Sequence, residues 1–189
     1  MKRALFLALT LTLLVAGAAN AQVTQPTPSP DPRLYTDPGM TFLAPPDAVL
    51  VNRQQMSPSD LTEDLQVVAT WLLRPGKENA RLIQILMEAY TGAPDQWEGQ
   101  FESQTHGQQD GTLIRGKTPM ALLNGMPAYF VEVAFGSGFD AKKEYAIVWA
   151  DGQRGIVLSE TARLGDSSPE EAKSVLKQVT AVRYPEYQP

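Results

Sequence analysis

Hydrophobic and polar residues alternate along most of this chain with the two-residue period of half-buried strands. Met40, Phe42 and Ala44 share one face before Pro45-Pro46 ends the run. Val67 to Leu73 is a β-branched and aromatic stretch stopped by Pro75-Gly76, and Arg81 to Tyr90 suits strand or helix by composition and is read as strand. Thr91-Gly92-Ala93 then turns the chain. Trp97 and Phe101 stand four apart after Pro94, the pattern of a short helix with proline in its first turn, and 104–111 reads as a polar loop.

The second half predicts two hairpins. Leu113 to Leu123, interrupted at Pro119, is joined through Asn124-Gly125 to Tyr129–Phe135, where Tyr129, Val131, Val133 and Phe135 share a face. Beyond the break at Gly136-Ser137-Gly138, Tyr145–Ala150 is joined through Asp151-Gly152 to Gly155–Thr161. Ser168, Pro169 and Glu171 are placed to cap a helix reciprocally, and Ala172, Val175, Leu176 and Val179 give it one apolar face. The chain leaves through Ala181-Val182-Arg183-Tyr184.

Two segments break the pattern. Lys2 and Arg3 precede an apolar run from Ala4 to Ala16, and Ala19-Asn20-Ala21 forms a small-x-small site before Gln22, the order of a secretory signal peptide over residues 1–21. Residues 22–38 hold five prolines and few apolar side chains, and read as a Pro-rich linker. A single globular domain is expected over 39–184, with a short tail at 185–189. The apolar run at the start is too short to cross a bilayer, so export to the periplasm or the extracellular medium is expected, with no stable membrane insertion after cleavage.

Charge and cysteine content narrow the picture. Removing Lys2 and Arg3 with the signal takes the formal charge from −5 to −7, and no cluster of cations offers the phosphate contacts on which nucleic-acid affinity depends. Nucleic acid is therefore not an expected partner. The chain has no cysteine, so burial and hydrogen bonding must hold the fold without disulfides.

Several residues invite a chemical reading. Gly165-Asp166-Ser167-Ser168 resembles the Gly-Asp-Ser opening of secreted GDSL-type esterases, but a serine nucleophile needs an oriented base, and the single histidine, His106, is far upstream. His106 with Asp110 supplies too few ligands for a metal. Gly136-Ser137-Gly138 lacks the lysine and further glycine of a phosphate-cradling loop. Glu98 and Glu102 lie one helical turn apart, the arrangement of an exposed helix face unless a cleft separates their proton affinities. Trp71 and Trp149 fall inside strands and read as core, whereas Trp97 is the best candidate for a surface contact. No catalytic, cofactor-binding or metal residue is assigned, and no cofactor is expected.

Two short motifs carry a family resemblance. Tyr35-Thr36-Asp37-Pro38-Gly39-Met40-Thr41-Phe42, with Pro45 after it, resembles the opening of PsbP-like domains, and Asn124-Gly125-Met126-Pro127-Ala128-Tyr129 is similar to the central hairpin of their bacterial exported members. The resemblance spans about residues 35 to 184. It implies an α+β fold, an antiparallel β-sheet flanked by helices in an α/β/α sandwich of PsbP-like type, and it supplies no catalytic set.

The sequence thus points to an exported, non-catalytic binding or assembly-accessory domain, whose partner is another envelope or secreted protein or a small ligand. The alternatives are a small secreted serine hydrolase using Ser167 and a carrier of a small apolar ligand.

Overall fold

The computed structural model describes residues 31–108, 113–136 and 141–184. The expected signal peptide, most of the linker, Asp110, Ser137-Gly138 and the tail lie outside them. In chain order the elements are β1 (Leu34–Thr36), β2 (Met40–Leu43), β3 (Ala48–Arg53), β4 (Gln66–Leu73), β5 (Arg81–Ala89), α1 (Pro94–Gln108), β6 (Leu113–Ala121), β7 (Pro127–Phe135), β8 (Lys142–Ala150), β9 (Arg154–Arg163), α2 (Pro169–Leu176) and β10 (Val179–Ala181). They form a seven-stranded sheet of order β3-β4-β5-β9-β8-β7-β6 and a three-stranded sheet of order β1-β2-β10. Every pairing is antiparallel.

Turn chemistry sets the second half. Gly125 and Gly152 take φ of 86° and 100°, conformations open to glycine, and close the β6–β7 and β8–β9 hairpins. Pro119 does not interrupt β6, which runs through it opposite Tyr129. This strand lies at the sheet edge, where alternate N–H groups face away from the ladder and a missing donor is tolerated.

Strand register sorts the side chains of the large sheet onto two faces. Ile83, Ile85 and Met87 stand opposite Glu160, Leu158 and Ile156, which stand opposite Tyr145, Ile147 and Trp149. This inner face carries the larger core, into which the small sheet contributes Tyr35, Met40, Phe42 and Val179 and α2 contributes Ala172 and Leu176. Phe42 meets Trp71 edge-on at 5.5 Å between ring centroids, and the Trp71 indole donates to the Pro32 carbonyl at 3.1 Å. On the outer face α1 lies over β6 and β8, and Trp97 and Phe101 pack with Val131, Val133, Ala146, Val148 and Val157.

The α/β/α sandwich is therefore not the architecture. The layer over the inner face is mainly a second sheet, joined by a helix of only eight residues, so the fold is β-rich with two sheets. Other expectations also move. Helix α1 continues through Gln108 where a loop is expected from 104. Val179 belongs to β10 rather than to the closing helix, and β1 forms within the expected linker, with Tyr35 fully buried. The strand β3 is absent from the sequence reading.

A buried arginine fastens the small sheet to the large one. Arg154, fully buried, donates through Nε to Asp151 Oδ2 at 2.8 Å and through Nη1 to Asp37 Oδ2 at 2.7 Å. Asp37 in turn accepts from the Gly39 and Met40 amides at 2.7 and 2.9 Å and from the Tyr35 hydroxyl at 3.1 Å. A Cβ on Gly39 would lie 2.3 Å from Arg154 Nη2, so only glycine lets the guanidinium approach. The Tyr184 ring covers the cation at 4.4 Å. Neighbouring carboxylates hold the Arg154 pKa above its ordinary value despite the opposing effect of burial, and burial is the main cause of the raised Tyr35 pKa.

The free edge of β10 is closed by a side chain. The Asn124 amide donates to the Ala181 carbonyl and its oxygen accepts from the Ala181 amide at 3.4 Å, while the Leu123 amide reaches the Val179 carbonyl at 3.4 Å. Asn124 therefore acts as one residue of a neighbouring strand.

Arg154→Met should cost about 3–5 kcal/mol in equilibrium urea unfolding, because Asp37 and Asp151 would remain buried without a cation. Leu176→Ala, in the inner core, should cost about 2–5 kcal/mol, and Ser168→Ala about 1 kcal/mol through loss of the bond its hydroxyl accepts from the Glu171 amide. Lys173→Ala should cost only about 0.5–1 kcal/mol, the worth of its ammonium lying over the Phe130 ring at 4.6 Å.

Candidate functional site

Ser167, the residue that suggested an esterase, lies in an ionic network at the inner face. Its hydroxyl donates to Glu160 Oε1 at 2.5 Å and accepts from Arg81 Nη1 at 3.4 Å. Glu160 and Arg81 are both buried and pair at 3.1 Å, and Arg81 also holds Glu171 of α2. Glu171 is thereby drawn away from the reciprocal cap expected of it. Ser168 accepts from its amide, but its carboxylate binds Arg81 and, at 3.3 Å, Arg74. His106 belongs to α1 on the opposite face of the sheet, so the serine is oriented by a carboxylate and an arginine rather than by an imidazole.

Trp97 is not a surface residue. It is fully buried, stacks on Phe101 at 5.8 Å and donates through Nε1 to Glu88 Oε1 at 2.8 Å. Glu88 also accepts from Gln100 at 2.9 Å and Gln104 at 3.2 Å, so three donors from one helix converge on one carboxylate. Sequence reasoning missed this group because a single glutamate in an apolar strand gives no sign of its partners. The available signal was the spacing of Trp97, Gln100 and Gln104, which puts all three on one side of a helix. Burial raises the Glu88 carboxyl above its ordinary value, with the Gln104 and Trp97 bonds opposing and Asp64 and Glu63 adding to it.

Glu98 and Glu102 share one cation, Lys117 of β6, at 2.6 and 3.2 Å. Burial raises the Glu98 carboxyl, and the Lys117 bond opposes the rise. Together the three groups fasten α1 to an edge strand. Trp71 and Trp149 are buried in the inner core, as their positions in strands predict. Among the described residues no group of three or more His, Asp or Glu side chains is placed to hold a metal ion.

What remains unabsorbed is part of the outer face away from α1. Val49, Leu72 and Leu82 stand in register across β3, β4 and β5, and none of the three joins either core cluster. Val49 is 53% exposed, and Leu72 and Leu82 are half-buried. The next row holds Thr70 and Gln84, linked by a bond of 3.4 Å. An apolar row edged by polar groups can contact a partner but holds no nucleophile or oriented base.

No family model matches the chain, and no curated protein matches it. Solved structures do. LpqN of Mycobacterium tuberculosis, described as involved in cell envelope biogenesis, superposes with a TM-score of 0.52 at 16% identity, covering 77% of this chain and 86% of its own. A Pseudomonas aeruginosa protein of unknown function, PA94, gives a TM-score of 0.47 at 10% identity over 63% of this chain and 85% of its own. The likeness to LpqN is one of fold. Among the described residues no helix is long and apolar enough to cross a membrane.

The Glu88 site has a signed pH dependence. Because its folded value is raised, the contribution is complete below the ordinary carboxylate range and is lost as pH rises through the folded value. Glu88→Gln should therefore become more stable relative to wild type on going from acidic to neutral pH, as urea midpoints across that range would show. A difference that stays constant with pH would contradict the assignment. Trp97→Phe should cost about 1–3 kcal/mol by leaving the buried Glu88 carboxyl without its indole donor, as urea unfolding would show.

Proposed function

We propose that this chain is an exported, non-catalytic binding or assembly-accessory domain, that its partner is another envelope or secreted protein, and that the row Val49, Leu72, Leu82 is the contact surface. The observation that carries the reading is that row: three adjacent strands present apolar side chains that neither core uses. It is supported by the occupation of the candidate catalytic groups, since Ser167, Glu98 and Glu102 each serve a contact between elements. The description of LpqN as an envelope-biogenesis protein is compatible with it. Likeness to PsbP-like exported proteins, resting on the motifs at Tyr35–Phe42 and Asn124–Tyr129, belongs to the same proposal.

Placed at Leu82, a photo-reactive residue should cross-link to a protein in the host's envelope or secreted fraction. Leu82→Glu should weaken retention of that protein by roughly tenfold or more, the loss expected for one buried leucine, with the melting temperature of the domain kept. Equal retention by wild type and Leu82→Glu would remove this surface from the reading. Ser167→Ala decides the hydrolase alternative, since loss of a measured esterase activity in a folded variant would overturn the non-catalytic reading.

A further inference from the structure

The turn that closes the β6–β7 hairpin carries reactive chemistry beside its structural task. In an Asn-Gly pair the glycine nitrogen can close on the asparagine side-chain carbon, because the second residue has no Cβ to hinder the approach. Of the four asparagines in the chain, only Asn124 precedes a glycine, whereas Asn20 and Asn79 precede alanine and Asn52 precedes arginine. Asn124 and Gly125 are both exposed, so the base and the water that such a reaction consumes have access.

The fold restrains both reacting groups. The Gly125 amide, which must give up its proton before it attacks, donates to the Leu122 carbonyl at 2.8 Å. The Asn124 side chain is held on β10, donating to the Ala181 carbonyl and accepting from the Ala181 amide at 3.4 Å. Those two bonds close the edge of a strand of three residues that pairs on its other side with β2. A short strand at a sheet edge opens locally, and opening frees Asn124 to turn towards Gly125. Asp151-Gly152, the turn of the other hairpin, lacks this reactivity. Asp151 is buried, and its carboxylate binds Arg154 and accepts from the Gln153 and Arg154 amides, so it is a poor target for attack.

We propose that Asn124 is a site of intramolecular deamidation, gated by opening of the β10 edge, and that the product no longer closes that edge. The Gly125 nitrogen loses its proton to base and attacks Asn124 Cγ. The new bond between them forms as Cγ–Nδ2 breaks, and the side-chain nitrogen takes up a proton and leaves as ammonia. Water then opens the five-membered imide at either carbonyl, giving aspartate or isoaspartate with no change of oxidation state. In aspartate an oxygen replaces the nitrogen that donates to Ala181, so that carbonyl loses its donor and faces a negative charge. Isoaspartate also lengthens the backbone of the turn. The strand so released continues into Val182, which donates to the Gly39 carbonyl at 2.8 Å, and Tyr184, whose ring covers Arg154.

Incubation of the folded protein in mildly alkaline buffer, followed by peptide mapping with mass spectrometry, should find aspartate and isoaspartate at residue 124 with the other asparagines intact. The same incubation in urea should convert Asn124 faster by roughly tenfold or more, because the restraints on both reacting groups are then gone. Val179→Ala, which loosens β10 from the inner core without touching the turn, should convert faster than wild type in the folded state. Phe101→Ala, in the outer core, should convert at the wild-type rate. Hydrogen exchange over residues 178–184 should quicken by roughly tenfold in the converted protein and in Asn124→Asp, the effect of one lost bond to a backbone carbonyl. Circular dichroism checks that each variant is folded. A folded wild type that keeps Asn124 intact while the urea sample converts, equal rates in wild type and Val179→Ala, acceleration in Phe101→Ala, or unchanged exchange over β10 in Asn124→Asp and the converted protein would each overturn the proposal.

Discussion

The inner layer depends on one buried cation. Arg154 lies at the start of a central strand with no access to water, and the carboxylates of Asp37 and Asp151 offset the loss of its hydration. Coulombic attraction is strong where water is excluded, and every remaining acceptor position on those carboxylates that bonds to a backbone amide makes the geometry more specific. Asp37 is the loop end of the β1–β2 hairpin, so the ion pair determines where that hairpin sits on the sheet. Phe42 and Trp71 then complete the contact by packing. The strand carries a second charged group, Glu160, on the same face at its other end, where it binds Arg81 and through it α2. Between the two lie Ile156 and Leu158, so β9 presents an apolar centre with an ionic fastening at each end.

The segments Tyr35–Phe42 and Asn124–Tyr129 have structural tasks. Tyr35 donates to Asp37, Asp37 binds Arg154, Gly39 leaves room for the guanidinium, and Phe42 packs on Trp71. Asn124-Gly125 turns one hairpin and closes the edge of another sheet. Motifs that build a clamp are compatible with many functions, because function resides in sites added to a fold.

Much of the sheet was legible because its period is two. Val67–Leu73, Tyr129–Phe135, Tyr145–Ala150 and the turns at Asn124-Gly125 and Asp151-Gly152 all appear where alternation and turn residues put them. Buried charge was not legible. Arg81, Glu88, Arg154 and Glu160 stand at polar positions in strands, and a polar position reads as solvent-facing unless its partner is known. Asp151 lies three residues from Arg154, but Asp37 is 117 residues away and Glu160 and Glu171 are 79 and 90 residues from Arg81, so no local window brings these groups together. Trp97 was misread for the same reason, since the groups that bury it come from β5, β7, β8 and β9. The β3 strand was available in its β-branched Val49 and Val51 but was short and close to two prolines. Helix α1 outlasts its apolar residues because Gln100 and Gln104 bond to Glu88 and continue the contact with polar side chains.

Arg154 and Gly155 are adjacent, and strand geometry sends them to opposite faces. The first reaches into the inner layer. The second, by having no side chain, lets the Trp97 indole sit against the backbone, where a Cβ would be 1.6 Å from Nε1. One dipeptide therefore carries the attachment of both layers, the small sheet on one side and α1 on the other. Fraying of the β8–β9 hairpin would release them together, which ties the two faces into one cooperative unit of unfolding rather than two independently opening halves.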